Sequence, residues 1–271
     1  MKLSVCIEAV FAGMSPEKAI EKTAEFKIPA IEFWSWWDKD TGSIKKACGN
    51  AGIEIAAFCT PFISLVEPSC RKEYYESLRE TIAVAKELQC STIISQTGYD
   101  TGAERQLQHE SLVEGLKMCA PMLEDAGITL AVEPLNIRVD HPGYYLQSSD
   151  ECVEILREVD SSNVRMLFDV YHQQITEGDI IRRIREYAGY ICHFHTAGNP
   201  GRHELYDSEL DYRKVFTAIE AAGYNKYVGL EYFPLDVAEK GLTFAIEAGE
   251  GGAGGAGGWL MADGGGERRS W

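Results

Sequence analysis

The chain has 271 residues, of which 45% are hydrophobic and 25% charged, and its formal net charge is -16. This is the composition of an ordinary globular protein, and it excludes a wholly disordered chain and a small disulfide scaffold. So acidic a surface repels phosphate backbones and anionic lipid, which argues against general binding to nucleic acid or membranes.

Eight short apolar runs along the chain have the composition of buried strands. They are rich in Val, Ile, Leu and aromatic residues, and they are continuous rather than alternating, as in strands covered on both faces. We predict strands at residues 3–7, 30–33, 53–58, 92–94, 128–132, 164–168, 190–194 and 227–230.

Helical patterns fill the segments between these runs. We predict helices at residues 16–27, 71–89, 104–126, 148–158, 178–188, 211–222 and 236–247, and a further helix that ends at Ala51-Gly52. Ser15 is the expected N-cap of the helix at 16–27, with Pro16 at its first position. Ser148 or Ser149 is the expected cap of the helix at 148–158.

The alternation of strands and helices predicts parallel βα units. A length prior of about 150 residues per domain suggests two domains, but one α/β barrel also fills this length. The turns from helix to strand are short, whereas the connections at 59–70, 134–147 and 196–210 are long, as on the active-site face of a barrel. We therefore predict a single (β/α)8 TIM barrel over residues 1–248. A doubly wound open sheet is the alternative, but no GxGxxG motif follows the first strand.

Residues 249–271 differ in composition from the rest of the chain. They contain ten of the 26 glycines, and Gly-rich sequence buries too little surface to offset its ordering entropy. We predict a Gly-rich, flexible or non-native tail there.

The cysteines and the N-terminal segment bear on the compartment. The eight cysteines are scattered and form no CxxC pair, and Glu8 interrupts the short apolar run at the N-terminus. Free thiols without a signal peptide are typical of a reducing compartment, so we expect a cytoplasmic protein.

Four of the later strands end in a side chain that can bind a metal. Three end in an acid, at Glu133, Asp169 and Glu231, and one ends in His195. A lone acid at a strand end is often only solvated, but four such residues at one rim of a barrel are harder to dismiss, because burying carboxylates without a counter-charge is costly. The oxygen-rich set with one nitrogen suits one Mn²⁺, Mg²⁺ or Co²⁺ ion.

Five stretches carry a resemblance to a known family. They are Glu133-Pro134-Leu135-Asn136, residues 142–146 (PGYYL), Asp169-Val170-Tyr171-His172, residues 197–204 (AGNPGRHE) and Gly229-Leu230-Glu231-Tyr232. Together they resemble the hydroxypyruvate isomerase family, which belongs to the xylose-isomerase-like barrels of sugar isomerases and epimerases. The resemblance covers most of residues 1–245 in order and spacing.

The resemblance implies a (β/α)8 fold, a metal held by Glu133, Asp169, His195 and Glu231, and substrate contacts from His172 and Arg202. In one respect the chain departs from part of the family. Some hydroxypyruvate isomerases carry Gln where this chain has His195, and the His brings the site closer to the metal set of the ketose 3-epimerases.

The chemistry of an isomerase fits these residue types. A metal that chelates the carbonyl and hydroxyl oxygens stabilises an enediolate, and a carboxylate moves the proton. Glu133 and Glu231 are the natural pair of catalytic residues. One carboxylate working on adjacent carbons gives isomerisation, whereas two working on opposite faces of one carbon give epimerisation.

Several assignments near these residues have a structural alternative. Arg202 either clamps a substrate carboxylate or is a surface residue paired with Glu204. His172 either contacts a substrate oxygen or is a hydrogen-bonded core residue. His193 is expected to be structural, one layer below His195.

Aromatic and acidic residues after the second strand extend the candidate site. Trp34, Trp36 and Trp37 either wall off the substrate or pack beneath a loop, and Glu32 is a further residue that could contact substrate.

The function predicted first is a metal-dependent isomerase of a small α-hydroxycarbonyl compound such as hydroxypyruvate. A ketose 3-epimerase is the alternative, and a non-catalytic sugar-binding barrel is less favoured because the acid/base pair is intact. A DNA-repair endonuclease, which shares the fold, needs a basic face that a net charge of -16 does not provide. The expected partner is a small-molecule substrate, with neither nucleic acid nor membrane, and a homo-oligomer is left open.

Overall fold

The computed structural model describes residues 1–250. Eight parallel strands form a closed barrel in the order β1 to β8, in which β1 also pairs with β8. The strands are β1 Lys2–Cys6, β2 Ala30–Phe33, β3 Glu54–Cys59, β4 Thr92–Ser95, β5 Thr129–Val132, β6 Val164–Asp169, β7 Ile191–Thr196 and β8 Tyr227–Leu230. The predicted (β/α)8 fold is confirmed.

Helices surround the barrel. They are α1 Ile7–Val10, α2 Pro16–Glu25, α3 Thr41–Ala51, α4 Arg71–Leu88, α5 Arg105–Ala126, α6 Ser149–Val159, α7 Val170–Thr176, α8 Ile180–Tyr187, α9 Tyr212–Ala221 and α10 Ala238–Glu250. The short helices α1 and α7 were not predicted. Both begin immediately after a strand, where the sequence has no turn residues to separate the two elements.

The caps of two helices can be compared with their predictions. Ser148 caps α6, because its side chain accepts a hydrogen bond from the backbone N–H of Glu151. Ser15 precedes α2 at the cap position, but its side chain makes no cap hydrogen bond within the described residues. Gly127 follows α5 with φ of +65°, the left-handed conformation that ends a helix and turns the chain into β5.

The last helix, α10, continues to Glu250, so Gly249 and Glu250 are helical rather than part of a tail. The remainder of the predicted tail lies outside the described residues. Within residues 1–250, no helix is both long enough and apolar enough to cross a membrane.

The core has two parts. A large cluster fills the space between strands and helices, and a smaller one, made of Ala57, Cys59, Ile94, Ala131, Leu167 and Cys192, lies inside the barrel. Residues two apart on a strand share a face, so Ala131 and Leu167 lie on the same inner face as Glu133 and Asp169. This apolar interior is the floor beneath the candidate site.

Candidate active site

The structure brings the four predicted metal ligands together at the carboxyl ends of β5 to β8. One ligand atom each from Glu133, Asp169, His195 and Glu231 lies within 4.8 Å of the others, and all four residues are buried. The strand register explains the arrangement, because Asp169 pairs with His195 and His195 pairs with Gly229, two residues before Glu231. Such a set can hold one divalent ion.

Each ring nitrogen of His195 has a different environment. Its Nε2 lies 2.8 Å from Glu32 Oε2, whereas Nδ1 lies 3.4 Å from Glu231 Oε2 and 3.7 Å from Glu133 Oε1. Nδ1 is buried and has no hydrogen-bond partner among the described residues. With the Nε2 hydrogen donated to Glu32, the lone pair of Nδ1 points at the carboxylates, so the donor set fits a metal ion.

Glu32 lies inside the barrel and organises this histidine pair. Its carboxylate accepts hydrogen bonds from Ser4 Oγ and, at 3.0 Å, from His193 Nε2, in addition to His195. Burial alone would raise the pKa of Glu32, but the two imidazoles hold it well below its ordinary value. The contact between His193 and Glu32 matches the structural role expected of His193. Glu32 lies behind His195 and does not line the cavity, so it is not placed to contact a substrate there.

The carboxylates of the site stabilise a positive charge between them. Burial alone would lower the pKa of His195, but Glu231 and Glu32 outweigh burial and raise it. Burial likewise would raise the pKa of Glu231, but His195 and Arg202 hold it well below its ordinary value. The carboxylates thus favour a proton on His195, or a cation beside it.

Arg202 does not pair with Glu204, so the surface alternative for this arginine is wrong. Its Nη2 donates to Glu231 Oε2 at 2.5 Å, and its Nη1 lies 3.9 Å from Asp140 Oδ1. Glu204 is buried elsewhere and accepts from the backbone N–H groups of Leu235 and Asp236. Arg202 lines the cavity, which places its guanidinium within reach of a bound substrate.

His172 also lines the cavity and is neutral. Burial lowers its pKa to about 3, and its Nδ1 lies 2.6 Å from Asn136 Nδ2. The amide donates to Nδ1, so the imidazole hydrogen is on Nε2, which has no hydrogen-bond partner among residues 1–250. Nε2 lies 3.6 Å from Asp169 Oδ2, beyond hydrogen-bond distance, so a substrate oxygen that enters beside it can accept its hydrogen.

A cavity of about 430 Å³ opens above these residues. Of the three tryptophans, Trp34 lines it and donates from Nε1 to Glu231 Oε1 at 2.6 Å. Trp37 packs edge-on against Phe62, itself a lining residue, and Trp36 donates to Thr81 on α4. The tryptophans therefore divide between the two roles considered for them.

Sequence reasoning missed several residues that complete the site. Asn136 holds His172, Asp140 accepts from Asn136 at 2.7 Å, and Phe233, Tyr99 and Gln96 line the cavity. Asn136 belongs to the stretch Glu133-Pro134-Leu135-Asn136 that carries the family resemblance, so its place in the site could have been predicted from that stretch. The others lie in loops without regular periodicity, and their side-chain directions follow from packing.

Gly229 lies where the site leaves no room for a side chain. A Cβ there would come within 2.6 Å of Glu32 Oε1 and 2.7 Å of His195 Cδ2. We expect Gly229→Ala to displace the histidine and to lower turnover about 100-fold, because misplacement by about 1 Å is that costly.

The control is Gly49→Ala in α3, where a Cβ meets no atom of the described residues within 4 Å. Turnover and urea unfolding of both variants measure the effect. Equal turnover of Gly229→Ala and wild type would show that the histidine needs no such clearance.

Comparison with known proteins identifies the family of the chain. The family model of the xylose isomerase-like TIM barrel matches residues 20–248. A Danio rerio protein provisionally named hydroxypyruvate isomerase is 32% identical over 230 residues, covering 79% of this chain and 83% of that protein. The chain belongs to the hydroxypyruvate isomerase family.

Other members and neighbours of the hydroxypyruvate isomerase family extend the match. The hydroxypyruvate isomerase of Escherichia coli (strain K12) is 27% identical over 254 residues, 90% of this chain and 98% of that protein. A crystal structure described as AP endonuclease, family 2, from Brucella melitensis has a TM-score of 0.87 and 28% identity, and it covers 91% of this chain and 98% of that chain. The named isomerases among these relatives identify the chain as an isomerase, as the sequence predicted.

Proposed function

We propose that the chain is a metal-dependent isomerase that interconverts hydroxypyruvate, or a closely similar α-hydroxycarbonyl acid, with its isomeric hydroxyaldehyde. One observation carries the proposal. Nδ1 of His195, which is buried and has no hydrogen-bond partner among residues 1–250, faces Glu133 and Glu231 at the floor of a cavity that Arg202 also lines. A cation site, a pair of carboxylates and an anion-binding group thus meet in one place.

Charge balance supports one divalent ion. Glu133, Asp169 and Glu231 bring three negative charges, which Arg202 and one divalent cation would neutralise. When bound, the ion would act as a Lewis acid on the carbonyl and hydroxyl oxygens and stabilise the enediolate. Mn²⁺, Mg²⁺ and Co²⁺ suit three carboxylates and one imidazole, and these are the ions we propose.

The proton transfers fall to the carboxylates. Glu133 faces the cavity, and among residues 1–250 its side chain makes no hydrogen bond within 3.5 Å, so its oxygens are available to take the proton from the hydroxyl-bearing carbon. The proton returns to the neighbouring carbon from Glu133 or from Glu231, and the hydroxyl hydrogen passes to the former carbonyl oxygen, which becomes the new hydroxyl group. His172 donates to a substrate oxygen through Nε2, and the cavity walls limit contact between the enediolate and water.

Arg202 supports an acid over a neutral sugar as substrate. A guanidinium has several N–H donors, and while Nη2 donates to Glu231, Nη1 has no partner within hydrogen-bond distance among residues 1–250 and can donate to a substrate carboxylate. In a protein of net charge -16, one buried arginine beside a metal site favours a small anion over a polyanion. The eight free cysteines agree with a reducing compartment such as the cytoplasm.

A ketose 3-epimerase is the second candidate. Glu133 and Glu231 both lie within 3.7 Å of His195 Nδ1, and a cavity of about 430 Å³ admits a free sugar. Epimerisation requires two carboxylates that act on opposite faces of one carbon.

A proton-exchange assay in heavy water separates these functions. The substrates are hydroxypyruvate, tartronate semialdehyde, fructose, tagatose and psicose. We expect exchange and isomerisation with the first two, and Arg202→Met should lower kcat/KM for the acids about 10- to 100-fold more than for any ketose, because it removes hydrogen bonds to a charged group.

Arg213→Met, on the exposed start of α9, is the matched control. Exchange confined to the ketoses would favour the epimerase. Exchange with none of the five would contradict both functions.

A further inference from the structure

Trp34 makes a direct contact with one of the two carboxylates that face the cavity. It follows β2 immediately, and its indole Nε1 donates to Glu231 Oε1 at 2.6 Å. A hydrogen bond to an ionised acceptor is stronger than one between neutral groups. The indole has a single donor fixed in the ring plane, so it orients the carboxylate as well as binding it.

Glu231 is held at both oxygens, whereas Glu133 is not. Arg202 Nη2 donates to Glu231 Oε2 at 2.5 Å, so Trp34 and Arg202 each take one oxygen. The Glu133 side chain makes no hydrogen bond within residues 1–250, and its Oε1 lies 3.7 Å from the unprotonated Nδ1 of His195. The orientation of Glu231 is therefore set by two neighbouring side chains, whereas no hydrogen bond from residues 1–250 sets that of Glu133.

The backbone at Trp34 is anchored in turn by Glu8 on α1. Glu8 Oε2 accepts from the backbone N–H of Trp34 and, at 3.4 Å, from that of Ser35. Lys39 Nζ lies 2.7 Å from Glu8 Oε1 and completes the contact. Glu8 does not line the cavity, but it fixes the point from which the indole extends.

We propose that Trp34 is a positioning residue for Glu231 and that Glu8 positions Trp34. The kinetic part of this inference rests on the proposed isomerase function. The geometric part, a chain of contacts from Glu8 through Trp34 to Glu231, does not depend on it.

Packing alone does not account for the indole nitrogen. Trp34 packs against the inner cluster of the barrel and, with ring centroids 6.3 Å apart, against Phe233. Phenylalanine keeps an aromatic ring there but removes both the donor and part of the ring volume, and Trp36→Phe loses the same volume. A purely structural role predicts a loss of stability with kcat unchanged, whereas a positioning role predicts a loss in kcat.

Trp34→Phe and its control Trp36→Phe test the kinetic part. Trp36 also donates its indole hydrogen, to Thr81 Oγ1 at 3.2 Å, but it does so outside the cavity. We expect Trp34→Phe to lower kcat about 10- to 100-fold with KM changed less than about twofold, and Trp36→Phe to leave both unchanged. Equal kinetics of the two variants would overturn the inference.

Indole ¹⁵N–¹H spectra test the geometric part without any substrate. In wild type the Trp34 signal should lie downfield, and Glu231→Gln and Glu8→Gln should each move it while the Trp36 signal stays in place. A Trp34 signal whose chemical shift is unchanged by Glu231→Gln would contradict the proposed contact. If wild type turns over no substrate, the proposed function fails, and the spectra still decide whether Trp34 positions Glu231.

Discussion

Glu133→Gln should lower kcat about 10²- to 10⁴-fold, the usual contribution of a general base, while the protein stays folded. Glutamine has the size of glutamate but cannot accept the proton. In residues 1–250 the Glu133 side chain makes no hydrogen bond within 3.5 Å, so the substitution breaks none there. Turnover of hydroxypyruvate and the free energy of unfolding in urea measure the two effects.

Glu231→Gln is the informative comparison. It should abolish turnover to a similar degree but also cost stability, because the new amide places a donor against Trp34 Nε1 or Arg202 Nη2. Two variants with the same loss of turnover and different stabilities are expected. Full activity in Glu133→Gln would remove Glu133 from the proton transfer.

Removing the metal should lower turnover about 10³-fold or more, since a Lewis acid supplies several kcal/mol to a charged transition state. Dialysis against a chelator, followed by elemental analysis, prepares the metal-free protein, and added Mn²⁺, Mg²⁺ or Co²⁺ should restore activity. Binding should also raise Tm by about 5–10 °C at saturating metal, because the ion binds only the folded site.

Asp169→Asn is the matched variant for the metal. Asp169 caps α7 by accepting from the backbone N–H groups of Tyr171 and His172, and asparagine caps equally well. The variant should keep its fold and lose most of the metal-dependent rise in Tm. Unchanged turnover in a demonstrably metal-free sample would contradict the metal dependence.

Strand composition made the barrel predictable. Each of the eight apolar runs became a strand, with ends within one or two residues of those predicted, because a strand buried on both faces needs a continuous run of hydrophobic residues. The helices α1 and α7 were missed for a related reason. They are short, α1 begins at Ile7 inside the first apolar run, and α7 is separated from the apolar run of β6 by Asp169 alone.

The convergence of the four candidate metal ligands was predictable, because the carboxyl ends of the strands of a barrel meet at one rim. The strand order alone places Glu133, Asp169, His195 and Glu231 together. The partner of Arg202 was not predictable from sequence spacing. Glu204 lies two residues away along the chain, but the loop carries the guanidinium to Glu231 at the end of β8.

The contacts of Glu32 restrict what can occupy position 195. The Glu32 carboxylate accepts hydrogen bonds from Ser4 and His193, and the side chain at position 195 must also donate to it. The other end of the side chain at position 195 would offer an electron pair to the proposed cation. Neutral imidazole satisfies both demands, and so does a primary amide, with N–H at one end and C=O at the other. Exchange of His195 for Gln would therefore keep the hydrogen-bonding polarity at both ends of this side chain, and we expect His195→Gln to retain the contact with Glu32.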